Sequence, residues 1–193
     1  MNKSNLKKST TTSKLIIAIL GPTASGKSDL AIKIAKKING EIIGADSRQV
    51  YTGLDIGSGK ISKSEMKGIK HHLIDIVSPK KIFTVSDYQK LTNVVIQKIW
   101  EKNKIPIIVG GTGLYIDAVL KGVQFPNVKA NPKLRAKLSK LSTEDLFENL
   151  LSKDEERANS IDRFNRVRLI RALEIIESTQ KPIEKINYKP LNA

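Results

Sequence analysis

The chain has 193 residues, 34 Lys and Arg against 19 Asp and Glu, a formal net charge of +15 and no cysteine. That length accommodates one sizeable α/β domain with a small appendage, and the lack of cysteine excludes disulfides and thiolate metal sites. Thirty-nine per cent hydrophobic residues suffice for a core, but the apolar run Leu15–Leu20 is far shorter than the roughly 18 residues of a membrane span, so no membrane partner is expected.

Residues 1–13 are acid-free and rich in Lys, Ser and Thr. They read as a disordered basic tail rather than a cleaved leader, because cleavage there would destroy the strand that follows. Four short β-branched runs read as buried parallel strands: Leu15–Leu20, Glu41–Ala45, His72–Ile76 and Ile105–Val109. Helical patterns lie between them. Lys27–Ile38 carries Leu30, Ile34 and Ile38 on one stripe and stops at Asn39-Gly40. Ser86–Lys102 is read with Ser86 as its N-cap, and Thr112–Leu120 opens just past Gly110-Gly111. Strands alternating with helices predict a parallel, doubly wound sheet with ligands at the carboxyl ends of its strands. Beyond Gly122 a connector with Pro126 and Pro132 leads into helices only, over Pro132–Lys140, Thr143–Ser152 and Arg163–Ser178. The expected organisation is therefore an α/β domain over 14–122 and a helical region over 123–193.

The most specific signal is Gly21-Pro22-Thr23-Ala24-Ser25-Gly26-Lys27-Ser28, which fits G-x-x-x-x-G-K-[ST] between the first strand and the first helix. Small residues let backbone N–H groups curl around phosphate, Lys27 neutralises its oxygens, and the Ser28 hydroxyl suits Mg²⁺. After the second strand, Asp46 would lie beside this loop, as a magnesium ligand through water, as a general base, or as a cap on the following turn. The loop Gly53–Lys60 reads as flexible and suited to closing over a ligand. His71-His72 is assigned a structural role, and Asp75 either the top of the sheet or a salt bridge. Thr112, after Gly110-Gly111, would point its hydroxyl into the same crevice and also N-cap its helix. In the helical region Arg168 and Arg171 share a face, suited to phosphates or to pairing with Glu174 or Glu177, and Arg135 is an isolated arginine in a region that otherwise uses Lys. The basic charge favours a nucleic-acid partner, although 27 of the 34 basic residues are Lys, a bias that an AT-rich genome also produces.

In this order the motifs resemble the tRNA dimethylallyltransferase (tRNA isopentenyltransferase) family. The matching pieces are Gly21–Ser28, Asp46-Ser47-Arg48-Gln49-Val50-Tyr51, Gly53-Leu54-Asp55-Ile56-Gly57, His71-His72-Leu73-Ile74-Asp75, Val109-Gly110-Gly111-Thr112-Gly113-Leu114-Tyr115 and Arg171-Ala172-Leu173-Glu174. The resemblance implies a P-loop NTPase-like three-layer α/β domain with a parallel sheet and a helical tRNA-binding subregion. It implies transfer of a dimethylallyl group from dimethylallyl diphosphate to N6 of the adenosine beside a tRNA anticodon, by a cytoplasmic monomer. The phosphate loop, usually a nucleotide- or ATP-binding site, would hold the donor's diphosphate through Gly21–Ser28, with Mg²⁺ at Ser28. By the same likeness Asp46 takes the amine proton, Thr112 positions the bridging oxygen, and the tRNA anticodon stem-loop meets Asp46, Ser47, Arg48, Gln49, Arg135, Val167, Arg168, Leu169, Ile170 and Arg171. Two departures stand out: Ile61 follows Lys60 where the family has Pro, and family chains continue beyond Lys181-Pro182-Ile183, so a C-terminally truncated catalytic domain is expected. A small P-loop kinase and a non-catalytic tRNA-binding remnant are the alternatives.

Overall fold

The structure, a computed structural model, describes residues 14–191; the basic tail expected over 1–13 lies outside them. Strands β1 (Ile17–Leu20), β2 (Gly40–Gly44), β3 (His71–His72) and β4 (Ile105–Gly110) form one parallel sheet in the order β1-β4-β2-β3. Side-chain alternation along β2 sends Ile42 to one face and Ile43 to the other. Ile42, Ile107 and Val109 pack under α1 (Lys27–Ile38), together with Ala31, Ile32 and Ala35. Ile43, Ala45 and Ile108 pack under α2 (Val85–Trp100) and α3 (Gly113–Leu120), with Tyr88, Ile96, Ile99, Tyr115, Ile116 and Val119. The sheet is thus covered on both faces, the three-layer, P-loop NTPase-like arrangement read from the sequence.

Local chemistry explains where these elements end. Helix α1 closes with Asn39 in the left-handed conformation (φ 54°), its N–H donating to the Ala35 carbonyl, so Gly40 already begins β2. Helix α2 starts one residue earlier than expected and is capped by Thr84, not Ser86. Thr84 accepts from Asp87 N while the Asp87 carboxylate accepts from Thr84 N, a reciprocal box that Ser86, with Gln89 three residues on, does not form. Strand β3 is shorter than the expected His72–Ile76 because Leu73 and Asp75 take positive φ (61° and 54°). Pairing then resumes: Ile76 N donates to Val50 O (2.8 Å) and Thr52 N to Val77 O (2.9 Å).

Residues Gln124–Asn187 form a separate compact unit. It contains α4 (Pro132–Leu138), α5 (Thr143–Lys153), α6 (Glu155–Ser160) and α7 (Arg166–Thr179), around a core of Leu138, Leu146, Leu150, Leu169, Leu173 and Ile176. Helix α6 was not expected; Asp154, accepting from Arg157 N (2.9 Å), starts it. Helix α7 begins three residues later than expected, at the Asn165 cap. The helical unit also ends sooner than 193, since residues 188–191 return to the first unit. There Tyr188 pairs antiparallel with Val123, and Lys189 N donates to Gly122 O (2.8 Å). Among the described residues no helix is long and apolar enough to cross a membrane.

Candidate active site

The parallel register lines up three strand ends. Leu20 pairs with Gly110 and Gly44 with Val109, so the segments leaving β1, β4 and β2 emerge side by side at one edge of the sheet. From β1 comes the phosphate loop. Ala24 and Gly26 take positive φ (62° and 79°), which curls the loop before α1, and Gly26 occupies the N-cap position without a side-chain cap. The amide groups of the first helical turn therefore point outward, together with the positive end of the helix dipole. Lys27 folds its ammonium back onto the Pro22 carbonyl and lies 3.4 Å from Ser25 Oγ, while Thr23 and Ser28 are exposed at the mouth.

From β4 come Gly110 and Gly111, and only Gly110 is required by close approach; a Cβ on Gly111 would make ordinary contact. A Cβ on Gly110 would sit 2.1 Å from the Ala45 carbonyl oxygen, and one on Gly111 would sit 3.5 Å from the Gly21 carbonyl oxygen. Thr112 N then donates to Ala45 O (3.1 Å), and Thr112 Oγ1 accepts from Ser47 N (3.1 Å). Thr112 is the N-cap residue of α3, but its hydroxyl makes no helix-capping bond. The sequence reading gave that hydroxyl two compatible uses; the structure turns it toward the β2 end instead of its own helix.

From β2 comes Asp46. Its Oδ1 accepts from Arg48 N (2.8 Å) and Gln49 N (3.3 Å), the turn-capping role, while among the described residues nothing donates to Oδ2. Ser47 and Arg48 are exposed beside it. Gln49 is half-buried and donates from Nε2 to the carbonyls of Ser58 (3.4 Å) and Gly59 (3.1 Å). One carboxylate oxygen is thus committed to structure and the other is left as an acceptor next to a hydroxyl and a phosphate loop.

The loop Gly53–Lys60 is pinned, which the sequence reading missed. Lys60 has a side chain only 5% exposed, and its ammonium donates to Tyr51 O (2.9 Å), Asp55 Oδ1 (2.7 Å) and Asp75 Oδ1. Burial alone would lower its pKa; hydrogen bonds and charge from Asp55 and Asp75 reverse that and raise it. Asp75 takes the salt-bridge reading of its two. The available signal was a lone Lys closing a Gly-rich loop with acids at either hand. At the opposite edge His71 Nδ1 lies 2.9 Å from Ile69 O and His72 Nε2 2.7 Å from Glu41 Oε2, the structural roles read from sequence.

The helical unit spends most of its arginines internally. Glu174, fully buried, receives Arg135 Nε (2.8 Å), Arg135 Nη2 (2.7 Å), Asn131 N (2.6 Å) and Arg171 Nη1. Burial would raise the pKa of Glu174, but these donors win and hold it at about 2. Arg171 also donates to Val128 O (2.9 Å). The isolated Arg135, expected by resemblance among the tRNA contacts, therefore spends its planar, two-pronged donation on a carboxylate of this chain. Leu169 corrects the expected tRNA-contacting run: its side chain is fully buried in the helical core, because it shares the stripe of Leu173 and Ile176. Val167 and Arg168 are exposed, and Ile170 and Arg171 half-buried.

Comparison with known proteins agrees with these motifs. Residues 49–192 match the family model described as IPP transferase. The chain is 47% identical over 172 residues to a tRNA dimethylallyltransferase of Caldanaerobacter subterraneus subsp. tengcongensis, covering 87% of this chain and 55% of that one. It thus spans about half the length of the curated relatives it matches. Among solved structures, the tRNA isopentenylpyrophosphate transferase of Bacillus halodurans is 42% identical with a TM-score of 0.59, covering 88% of this chain and 57% of that one. A eukaryotic dimethylallyltransferase acting on tRNA is 30% identical with a TM-score of 0.75, covering 92% and 46%.

Proposed function

Because this chain belongs to the IPP transferase family, we propose that it transfers a dimethylallyl group from dimethylallyl diphosphate to N6 of the adenosine beside a tRNA anticodon. The observation that carries this reading is the junction of the three strand ends, where Ser47 N donates to Thr112 Oγ1 between a phosphate loop and an acceptor carboxylate. A kinase could use both the loop and such an acid; what favours prenyl transfer over it is the match of residues 49–192 to the IPP transferase model.

In this reading the curled amides of Gly21–Ser28 and the Lys27 ammonium receive the diphosphate, and charge gathers there as the allylic C–O bond breaks. Preorganised donors of this kind are worth on the order of 10²–10³ in rate. The Thr112 hydroxyl positions the bridging oxygen. The N6 amine forms the new bond to the allylic carbon, its proton passes to Asp46 Oδ2, and pyrophosphate leaves. The donors present, the Ser28 hydroxyl and the second oxygen of Asp46, are hard oxygens of the kind Mg²⁺ takes. Ser28 would hold the ion, which supplies further charge neutralisation on the diphosphate. The target base must leave its stack to reach this edge. The reading carries with it a monomer working in the cytoplasm, with tRNA contacts at Ser47, Arg48, Val167 and Arg168.

The test is incubation of the chain with labelled dimethylallyl diphosphate and unmodified tRNA. Label in the tRNA is the expected outcome; phosphate transfer from ATP, with no label in RNA, overturns the reading.

A further inference from the structure

Just ahead of α7 stands an aromatic side chain that the core does not use. Phe164 is 76% exposed, although burying such a ring is favourable. Its backbone is nevertheless held in a turn. Phe164 N donates to Asp162 Oδ1 (3.1 Å), and Asn165 N to Asp162 O (3.0 Å), which closes a tight turn beneath it. Arg163 places its guanidinium carbon 5.5 Å from the Phe164 ring centre and 4.8 Å from that of Phe147, a residue that packs against the helical core. The exposed ring is therefore linked through a cation to a fixed one. One turn into the helix stand exposed Val167 and exposed Arg168, whose N–H is taken by the Asn165 cap.

An exposed π face with the Arg163 guanidinium beside it, and exposed Arg168 one turn into the helix, matches an unpaired nucleobase on a phosphate backbone. Proteins that hold single-stranded RNA stack its bases on aromatic rings and neutralise its phosphates with Arg. An apolar protein partner would be matched less well, since the Arg163 guanidinium borders the ring and Arg168 is exposed four residues on. We propose that Phe164, with Arg163 beside it and Arg168 four residues on, is a stacking platform for one unpaired base of the RNA bound by this unit. The proposal rests on the reading of RNA as substrate and adds the place where a single-stranded loop is held.

The test uses the full chain and an anticodon stem-loop hairpin carrying 2-aminopurine either in the loop or in the stem, read by anisotropy and by fluorescence. Wild type is expected to bind and to quench the loop probe only. Phe164→Ala and Phe164→Leu should each weaken binding by about tenfold and abolish quenching, the scale of one lost base stack. Phe164→Tyr should keep both, and all three should melt like wild type because the ring is exposed. Unchanged affinity and quenching in Phe164→Ala, wild-type behaviour in Phe164→Leu, or a response from the stem probe would overturn the platform and leave the RNA reading standing. A wild-type chain that binds no hairpin would overturn both.

Discussion

The two ends of strand β2 each carry a carboxylate, and they are treated in opposite ways. At the amino end Glu41 is 2% exposed and saturated: Lys104 Nζ donates to Oε1 (2.9 Å), His72 Nε2 lies 2.7 Å from Oε2, and Lys102 stands 3.7 Å away. At the carboxyl end Asp46 gives one oxygen to a turn and keeps the other as an acceptor. The amino edge is tied by side-chain charge, and the carboxyl edge is assembled by backbone approach at Gly110. The carboxylate at the amino end is satisfied completely; the one to which we assign proton transfer keeps one oxygen free as an acceptor among the described residues.

The largest effect should come from closing the backbone approach. Gly110→Ala would put a methyl group 2.1 Å from the Ala45 oxygen, so we expect a loss of about 3 kcal/mol or more in denaturant unfolding. An alanine variant of wild-type stability would contradict the close approach.

Next is the saturated carboxylate. Burial would raise the Glu41 pKa, but hydrogen bonds from His72 and Lys104 and the charges of Lys102 and Lys104 prevail and hold it at about 2, against 4.5 for an ordinary glutamate. A depressed folded-state value stabilises the fold above the unfolded value, and that contribution is lost as pH falls from about 4.5 toward 2. It amounts to about 3 kcal/mol at neutral pH. Glu41→Gln should remove most of it and flatten the acid limb of the stability–pH curve; an unchanged limb would reassign that acid sensitivity.

Asp46→Asn should do the reverse. The amide keeps an oxygen for the turn, so stability should stay within about 0.5 kcal/mol, while labelled prenyl transfer falls by about 10² with hairpin binding retained. Near-normal turnover would take Asp46 out of the chemistry.

The smallest effect is expected at Lys60→Met. Asp55 and Asp75 are 69% and 47% exposed at their side chains and can be rehydrated, so the cost should be about 1 kcal/mol. Faster amide exchange confined to the Gly53–Lys60 loop would show the pin released; exchange at the wild-type rate would mean that Gln49 holds the loop alone.

What could be read in advance follows the range of the forces involved. The bounds of helix α1 were legible to the residue, because its phosphate loop and Asn39 stop are local; its packed face was not, since Leu30 of the expected stripe is 50% exposed and Ala31, Ile32 and Ala35 are the buried residues. Asp46 and Thr112 were found as strand-end residues, since a parallel sheet dictates that edge. The Thr84 cap was missed because Ser86, another hydroxyl only two residues away, looked equally suitable, and the acid three residues after Thr84 decided it. The partner of Arg135 could not be read from sequence, whereas pairing with Glu174 was one of two uses read for Arg171. Their partner Glu174 is 39 and 3 residues away respectively, and only folding shows that it is fully buried and takes both. Lys60 eluded the reading because its bond to Asp75 spans 15 residues, across the turns that lead into and out of β3.

The antiparallel contact of Val123 with Tyr188, sealed by Lys189 N on Gly122 O, gives the helical unit adjoining points of departure and return. A hairpin that short can be closed by two residues. The intervening cassette is therefore excisable in principle, and its exchange between relatives is a graft across a single rung.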